Sequence, residues 1–124
     1  MKNIIIIGGS KGIGNALLTA LLPNHKVINI SRTAPEQQHS NLTHFSCDVL
    51  KDELPEISSA DALVYCPGSI NLKPFKRFSD DDFINDFKLQ VVGATRVIKS
   101  LLPKLTKAGN SSICLLYTSP SPRD

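Results

Sequence analysis

A chain of 124 residues, 41% hydrophobic and 20% charged, has room for one domain with a modest core and the balance of an ordinary globular protein. Its formal charge of +3 comes from scattered residues, which argues against nucleic acid or an anionic membrane as a partner. No apolar stretch approaches the roughly 20 residues of a membrane helix, and Cys47, Cys66 and Cys114 lack metal-ligand spacing, so reduced thiols, a cytoplasmic setting and no metal site are expected.

Asn3 to Ile7 is a β-branched, fully apolar run, as expected of a strand covered on both faces. Glycines follow, and Asn15 to Leu22 has helical composition, stopped at Pro23-Asn24. Strands are expected at Lys26 to Ile30, Leu42 to Val49 and Asp61 to Cys66, the last closed by Pro67-Gly68. The stretch from Leu50 to Ser59 has room for a helical turn or two at most. Ser79 is a plausible N-cap, followed by aspartates suited to the positive end of a helix.

That helix is the longest expected element. Phe83, Phe87, Val91, Ala94, Ile98, Leu101 and Leu105 recur at steps of three and four and predict one apolar stripe. Pro103 is expected to kink or shorten it, and Gly109-Asn110 to end it. A fifth strand follows from Ser111 to about Leu116. Alternating strands and helices imply an α/β fold, a doubly wound parallel sheet of Rossmann type, with ligands beyond the carboxyl ends of the strands.

The segment "IGGSKGIG" places Gly8, Gly12 and Gly14 between the first strand and the first helix. Binding a phosphate needs a tight turn, unobstructed backbone and free amides at a helix start, and this spacing supplies all three. It is neither Gly-x-Gly-x-x-Gly nor a P-loop. The motif resembles that of the short-chain dehydrogenase/reductase family, Thr-Gly-x-x-x-Gly-Ile-Gly, matched by Ile7 through Gly14 with isoleucine in place of threonine. The likeness runs to about Ile113. Asp48-Val49 falls where the family has an Asp-Val pair on the adenine ring, and Tyr65-Cys66-Pro67-Gly68 takes the place of Asn-Asn-Ala-Gly, keeping only the glycine.

The resemblance implies a nicotinamide dinucleotide and a small-molecule carbonyl or hydroxyl substrate. Gly8, Ser10, Lys11, Gly12, Ile13 and Gly14 would hold the pyrophosphate and adjacent ribose, with Asp48 and Val49 at the adenine. Cys66 and Gly68 would lie beside the nicotinamide ribose. An NAD-selective site usually ends its second strand with a carboxylate on the ribose 2′-hydroxyl. Here that strand ends in Ser31-Arg32, no carboxylate follows until Glu36, and Lys11 lies on the same side. Two cations favour a 2′-phosphate, so NADP(H) is expected over NAD(H).

The family's chemistry, as the resemblance implies, needs a tyrosine, a lysine four residues later, a serine and an asparagine. No Tyr-x-x-x-Lys exists here, and the helix asparagine aligns with Gln90 in "LQVVGA". The last eleven residues, "CLLYTSPSPRD", read as the conceptual translation of a sequencing-library transposon adapter. On that reading 1–113 is the N-terminal part of a dinucleotide-binding domain cut in its fifth strand, and 114–124 is a non-native tail. The chain as written is then expected to be poorly soluble and inactive, and the full-length parent to be a homo-oligomer. Two other readings stay open: a relative that senses or stores NADP(H) without redox chemistry, and a different Rossmann enzyme such as a sugar epimerase or methyltransferase. Epimerase-like relatives space their glycines as Gly-x-x-Gly-x-x-Gly, which this chain does not.

Overall fold

In the computed structural model, which describes residues 1–67, 77 and 79–116, five strands form one parallel sheet. They are β1 (Asn3–Ile7), β2 (Lys26–Ser31), β3 (Leu42–Ser46), β4 (Ala62–Tyr65) and β5 (Ser112–Leu115), in the order β3-β2-β1-β4-β5. β1 is central, with Ile5 paired to Ile28 on one side and to Leu63 on the other. Its isoleucines alternate between the faces of the sheet. Ile4 and Ile6 pack with Leu18, Leu22 and Val27 on the side of helix α1 (Gly12–Leu21). Ile5 and Ile7 pack with Leu63, Tyr65, Ala94, Val97 and Leu101 on the side of helix α3 (Gly93–Ala108). An all-apolar central strand thus fits a Rossmann-type three-layer α/β arrangement. The chain fills one side of β1 and then the other, and this switch point places a crevice beyond the strands' carboxyl ends.

Helix α2 (Asp80–Phe87) starts where Ser79 predicts. The Ser79 Oγ accepts from the Asp82 amide (3.2 Å), and the Asp82 carboxylate accepts from the Ser79 amide (2.9 Å). This reciprocal box satisfies donors that a helix start leaves open. At the other end Gly109, at φ +83°, closes α3.

β3 is shorter than its apolar run suggests and stops at Ser46, before Asp48-Val49. The Cys47 amide still reaches the Ser31 carbonyl (3.0 Å), and then Asp48 turns the chain. Its carbonyl accepts from the Lys51 and Asp52 amides (3.0 and 2.8 Å), and its Oδ1 from the Leu50 amide (3.0 Å). A short acidic side chain that competes for backbone donors favours a turn over a ladder.

Pro103 does not shorten the helix, because α3 continues through it to Ala108. It is exposed, so the carbonyl it leaves without a donor lies on the solvent side.

The single apolar stripe is also corrected. Between α2 and α3 the segment Lys88–Val92 is a π turn. Ala94, Val97, Leu101 and Leu105 are buried, but Phe83 is 48% exposed, Phe87 57% and Val91 46%. Asp82, Asp86 and Leu89 are half-buried instead, displaced towards the N-terminus from the expected stripe. A π turn holds an extra residue, and a slip of one residue turns the preceding helix by about 100°. Among the described residues no helix is long and apolar enough to cross a membrane.

Candidate functional site

The turn between β1 and α1 depends on two conformations that favour glycine, Gly8 at φ +82° and Gly12 at φ +60°. Gly14 is required for space, because a Cβ there would lie 2.4 Å from the Gly8 carbonyl oxygen. The helix start is open. Lys11, at the N-cap, makes no side-chain cap, and the first turn holds no acidic residue. The bond from the Asn15 amide to the Lys11 carbonyl (3.2 Å) leaves the Gly12, Ile13 and Gly14 amides ahead of the helical ladder. Such an end concentrates donors and positive potential, the environment an anion requires.

Asn29 fixes this turn in place and gives little signal in "KVINI" beyond being polar. It is fully buried. Its Oδ1 accepts from the Gly9 amide (2.8 Å), and its Nδ2 donates to the Ser31 Oγ (2.9 Å) and lies 3.0 Å from the His44 Nδ1. Ser31 Oγ donates onward to the Thr33 carbonyl (2.6 Å). One satisfied buried amide therefore couples the glycine turn to the end of β2.

A cleft of about 800 Å³ opens beyond the strands, within the size range of small-molecule sites. The glycine turn contributes Gly8, Ser10, Lys11, Gly12, Ile13 and Gly14 to its wall; Ser31 and Arg32 come from the end of β2. Asp48 and Val49 come from the turn after β3, and Cys66 from the end of β4. Gly68 and most of the "NLKPFKRF" loop lie outside the described residues. Gln90 is half-buried on the π turn and is not part of the cleft wall, whereas Asn85, Lys88 and Leu89 are. The helical rotation brings those three to the cleft, which a regular helix register does not foretell.

A side cavity of about 700 Å³ shares Ser10, Lys11, Gly12 and Thr33 with the cleft and adds Asn15, Ala34, Glu36 and Gln37. The turn after β3 has its own support. The Arg96 guanidinium, from α3, donates to the Val49 carbonyl and to the Asp52 carbonyl (3.1 Å).

Burial, with a smaller contribution from Cys114, pushes the Cys66 thiol up to about 11. It is therefore protonated at neutral pH and a poor nucleophile. Burial, reinforced by the Asp48 carboxylate, pushes the Tyr65 phenol up to about 12. Its hydroxyl is committed to the Leu89 carbonyl (2.5 Å). Among the described residues the cleft thus offers anion donors and cations rather than a proton-transferring pair.

No protein-family model matches the sequence, and no curated relative matches it. Solved structures do. A short chain dehydrogenase family protein from Francisella tularensis is 27% identical, with TM-score 0.77 over 93% of this chain and 50% of its own. A short chain dehydrogenase from Leptospira borgpetersenii with bound NAD+ is 19% identical, with TM-score 0.76 over 92% of this chain and 50% of its own. The fold is that of the short-chain dehydrogenases/reductases. An alcohol dehydrogenase from Thermococcus sibiricus, complexed with 5-hydroxy-NADP, agrees at TM-score 0.77 and 23% identity, covering 91% of this chain and 57% of its own. The chain spans about half the length of the short-chain dehydrogenases it matches.

Proposed function

We propose that this chain is the dinucleotide-binding part of an NADP(H)-dependent oxidoreductase acting on a small carbonyl or hydroxyl substrate. The bound nicotinamide would supply the hydride chemistry. Supporting this reading, the Leptospira neighbour carries NAD+ and the Thermococcus neighbour an NADP derivative, both on the fold described above. The residues fit such a group: uncapped amides at Gly12, Ile13 and Gly14 suit a pyrophosphate, and Asp48 and Val49, on the wall of the same cleft, would face the adenine. Cys66 would lie beside the nicotinamide ribose, and Gln90 is the chain's candidate for a supporting amide. The sequence holds no Tyr-x-x-x-Lys, so this chain alone is expected to bind cofactor without turning over substrate.

Preference for the 2′-phosphate is carried by one observation. Lys11 and Arg32 stand on the cleft wall, where β2 ends in Ser31 without a carboxylate. Replacing Arg32→Asp exchanges a bidentate phosphate donor for a hydroxyl acceptor. The expected result is a fall of about tenfold or more in NADPH affinity relative to NADH, measured by calorimetric titration. An unmoved ratio would overturn the assignment.

A further inference from the structure

We propose that Gln37 is a specificity-positioning residue, whose carboxamide pins the segment after β2 against α1 and so shapes the side cavity that adjoins the 2′-phosphate site at Lys11. The inference rests on the cofactor reading above and concerns a residue with no charge of its own to offer the ligand.

Residues 32–38 carry no helix or strand. Among the described residues, the hydrogen bonds that anchor this segment are Ser31 Oγ to the Thr33 carbonyl (2.6 Å) and those of the Gln37 side chain. Gln37 and Asn15 exchange a reciprocal pair, Asn15 Nδ2 to Gln37 Oε1 and Gln37 Nε2 to Asn15 Oδ1, each 2.9 Å. Gln37 Nε2 also donates to Thr19 Oγ1 (2.6 Å). Asn15 Nδ2 donates further to the Gly9 carbonyl (3.1 Å), so the tether ends on the glycine turn itself.

The span between the two anchors, Thr33 and Gln37, forms one wall of the side cavity, and Lys11 and Gly12 form another. A loop ordered before the ligand arrives imposes no ordering cost at binding. Glu36 shares the tethered wall, so displacing the loop would also change how near a carboxylate stands to a bound phosphate. Both effects act where the side cavity meets the cleft, at Lys11. They therefore discriminate NADPH from NADH rather than strengthening both.

The test titrates the 124-residue chain, Gln37→Ala, Thr19→Val and the double variant with NADPH, NADH and adenosine 2′,5′-bisphosphate. Thr19 lines neither cavity and is exposed, so Thr19→Val reaches the ligand through Gln37 and leaves the fold intact. Gln37→Ala should weaken NADPH and the bisphosphate about fivefold to tenfold, while NADH stays within about twofold. Thr19→Val should act in the same direction by about twofold to threefold, and the double variant should be no weaker than Gln37→Ala. Equal effects on NADPH and NADH, or none on either, would overturn the proposal and leave the cofactor reading standing. Failure of the unsubstituted chain to bind either dinucleotide, or tighter binding of NADH than of NADPH, overturns that reading and this proposal with it.

Discussion

The two helical arms that border the cleft are shaped by different kinds of information. α1 is set by neighbours in sequence: Gly8 and Gly12 take positive φ, and Gly14 clears the Gly8 carbonyl. The α2–α3 arm is set from a distance. In a continuous α-helix the Leu89 carbonyl would accept the Gly93 amide. Here the Gly93 amide goes to the Lys88 carbonyl, and the Leu89 carbonyl accepts the Tyr65 hydroxyl instead (2.5 Å). Gly93 makes room, since a Cβ there would lie 2.4 Å from the Tyr65 oxygen. A phenol from the sheet and a bare position in the helix together select the π turn. Dihedral demands are written locally; a wedge between elements is not.

The locally encoded arm gives the largest expected effect. Gly14→Val would drive a branched side chain towards the Gly8 carbonyl oxygen and carbon, 2.4 and 3.1 Å from an added Cβ. Both are backbone atoms of the turn itself, so relief requires moving the donors that face the cleft. Destabilisation of about 1–3 kcal/mol is expected, with NADPH binding weakened beyond about a hundredfold. Urea unfolding and titration check the two halves separately. A stable variant that retained full affinity would show that the close approach does not shape the site.

This contrast also explains what was legible beforehand. The apolar cover on both faces of β1, the doubly wound parallel sheet, the Ser79 cap and the glycine turn between β1 and α1 follow from side-chain pattern and backbone preference, and each is open to reading. The sequence draws Asp48-Val49 into a strand, whereas the pair forms a turn on the cleft wall, because an Asx-type turn and an apolar strand end look alike in "FSCDV". Phe83, Phe87 and Val91 obey helical spacing and are nevertheless exposed, since the spacing assumes a register that the π turn breaks. Asn29, Gln37 and Arg96 were invisible for a related reason. Their roles reside in partners far along the chain, and a lone polar residue carries no periodic signal.

The distant wedge is open to a cycle of variants. Gly93→Ala alone should cost about 2 kcal/mol, because its Cβ meets a buried hydroxyl held on a fixed ring. Tyr65→Phe alone should cost about 1 kcal/mol through the lost bond to the Leu89 carbonyl. Together they should cost clearly less than the sum, since removing the oxygen frees the space that the new methyl needs. Additive costs in denaturant unfolding would mean that the π turn does not depend on this pair. Recovery in the double variant should be accompanied by altered NADPH affinity, because Asn85, Lys88 and Leu89 owe their places on the cleft wall to the turn.

The smallest effect is read in alkali and isolates the same hydroxyl. Burial first, and the Asp48 carboxylate second, raise the Tyr65 phenol from 10.0 to about 12. Above pH 10 the unfolded chain therefore releases this proton while the folded chain keeps it, and stability declines with further rise in pH. Below pH 10 the group contributes a constant amount. Between pH 10 and pH 11 the loss should reach roughly 1 kcal/mol. Cys66, raised from 9.0 to about 11, pulls in the same direction but starts one unit earlier and is present in Tyr65→Phe as well. The difference between the two unfolding curves therefore belongs to Tyr65 alone. Parallel curves from pH 9 to pH 11 would mean that its hydroxyl is not held in the protonated form, and that the wedge on Leu89 is looser than a 2.5 Å bond implies.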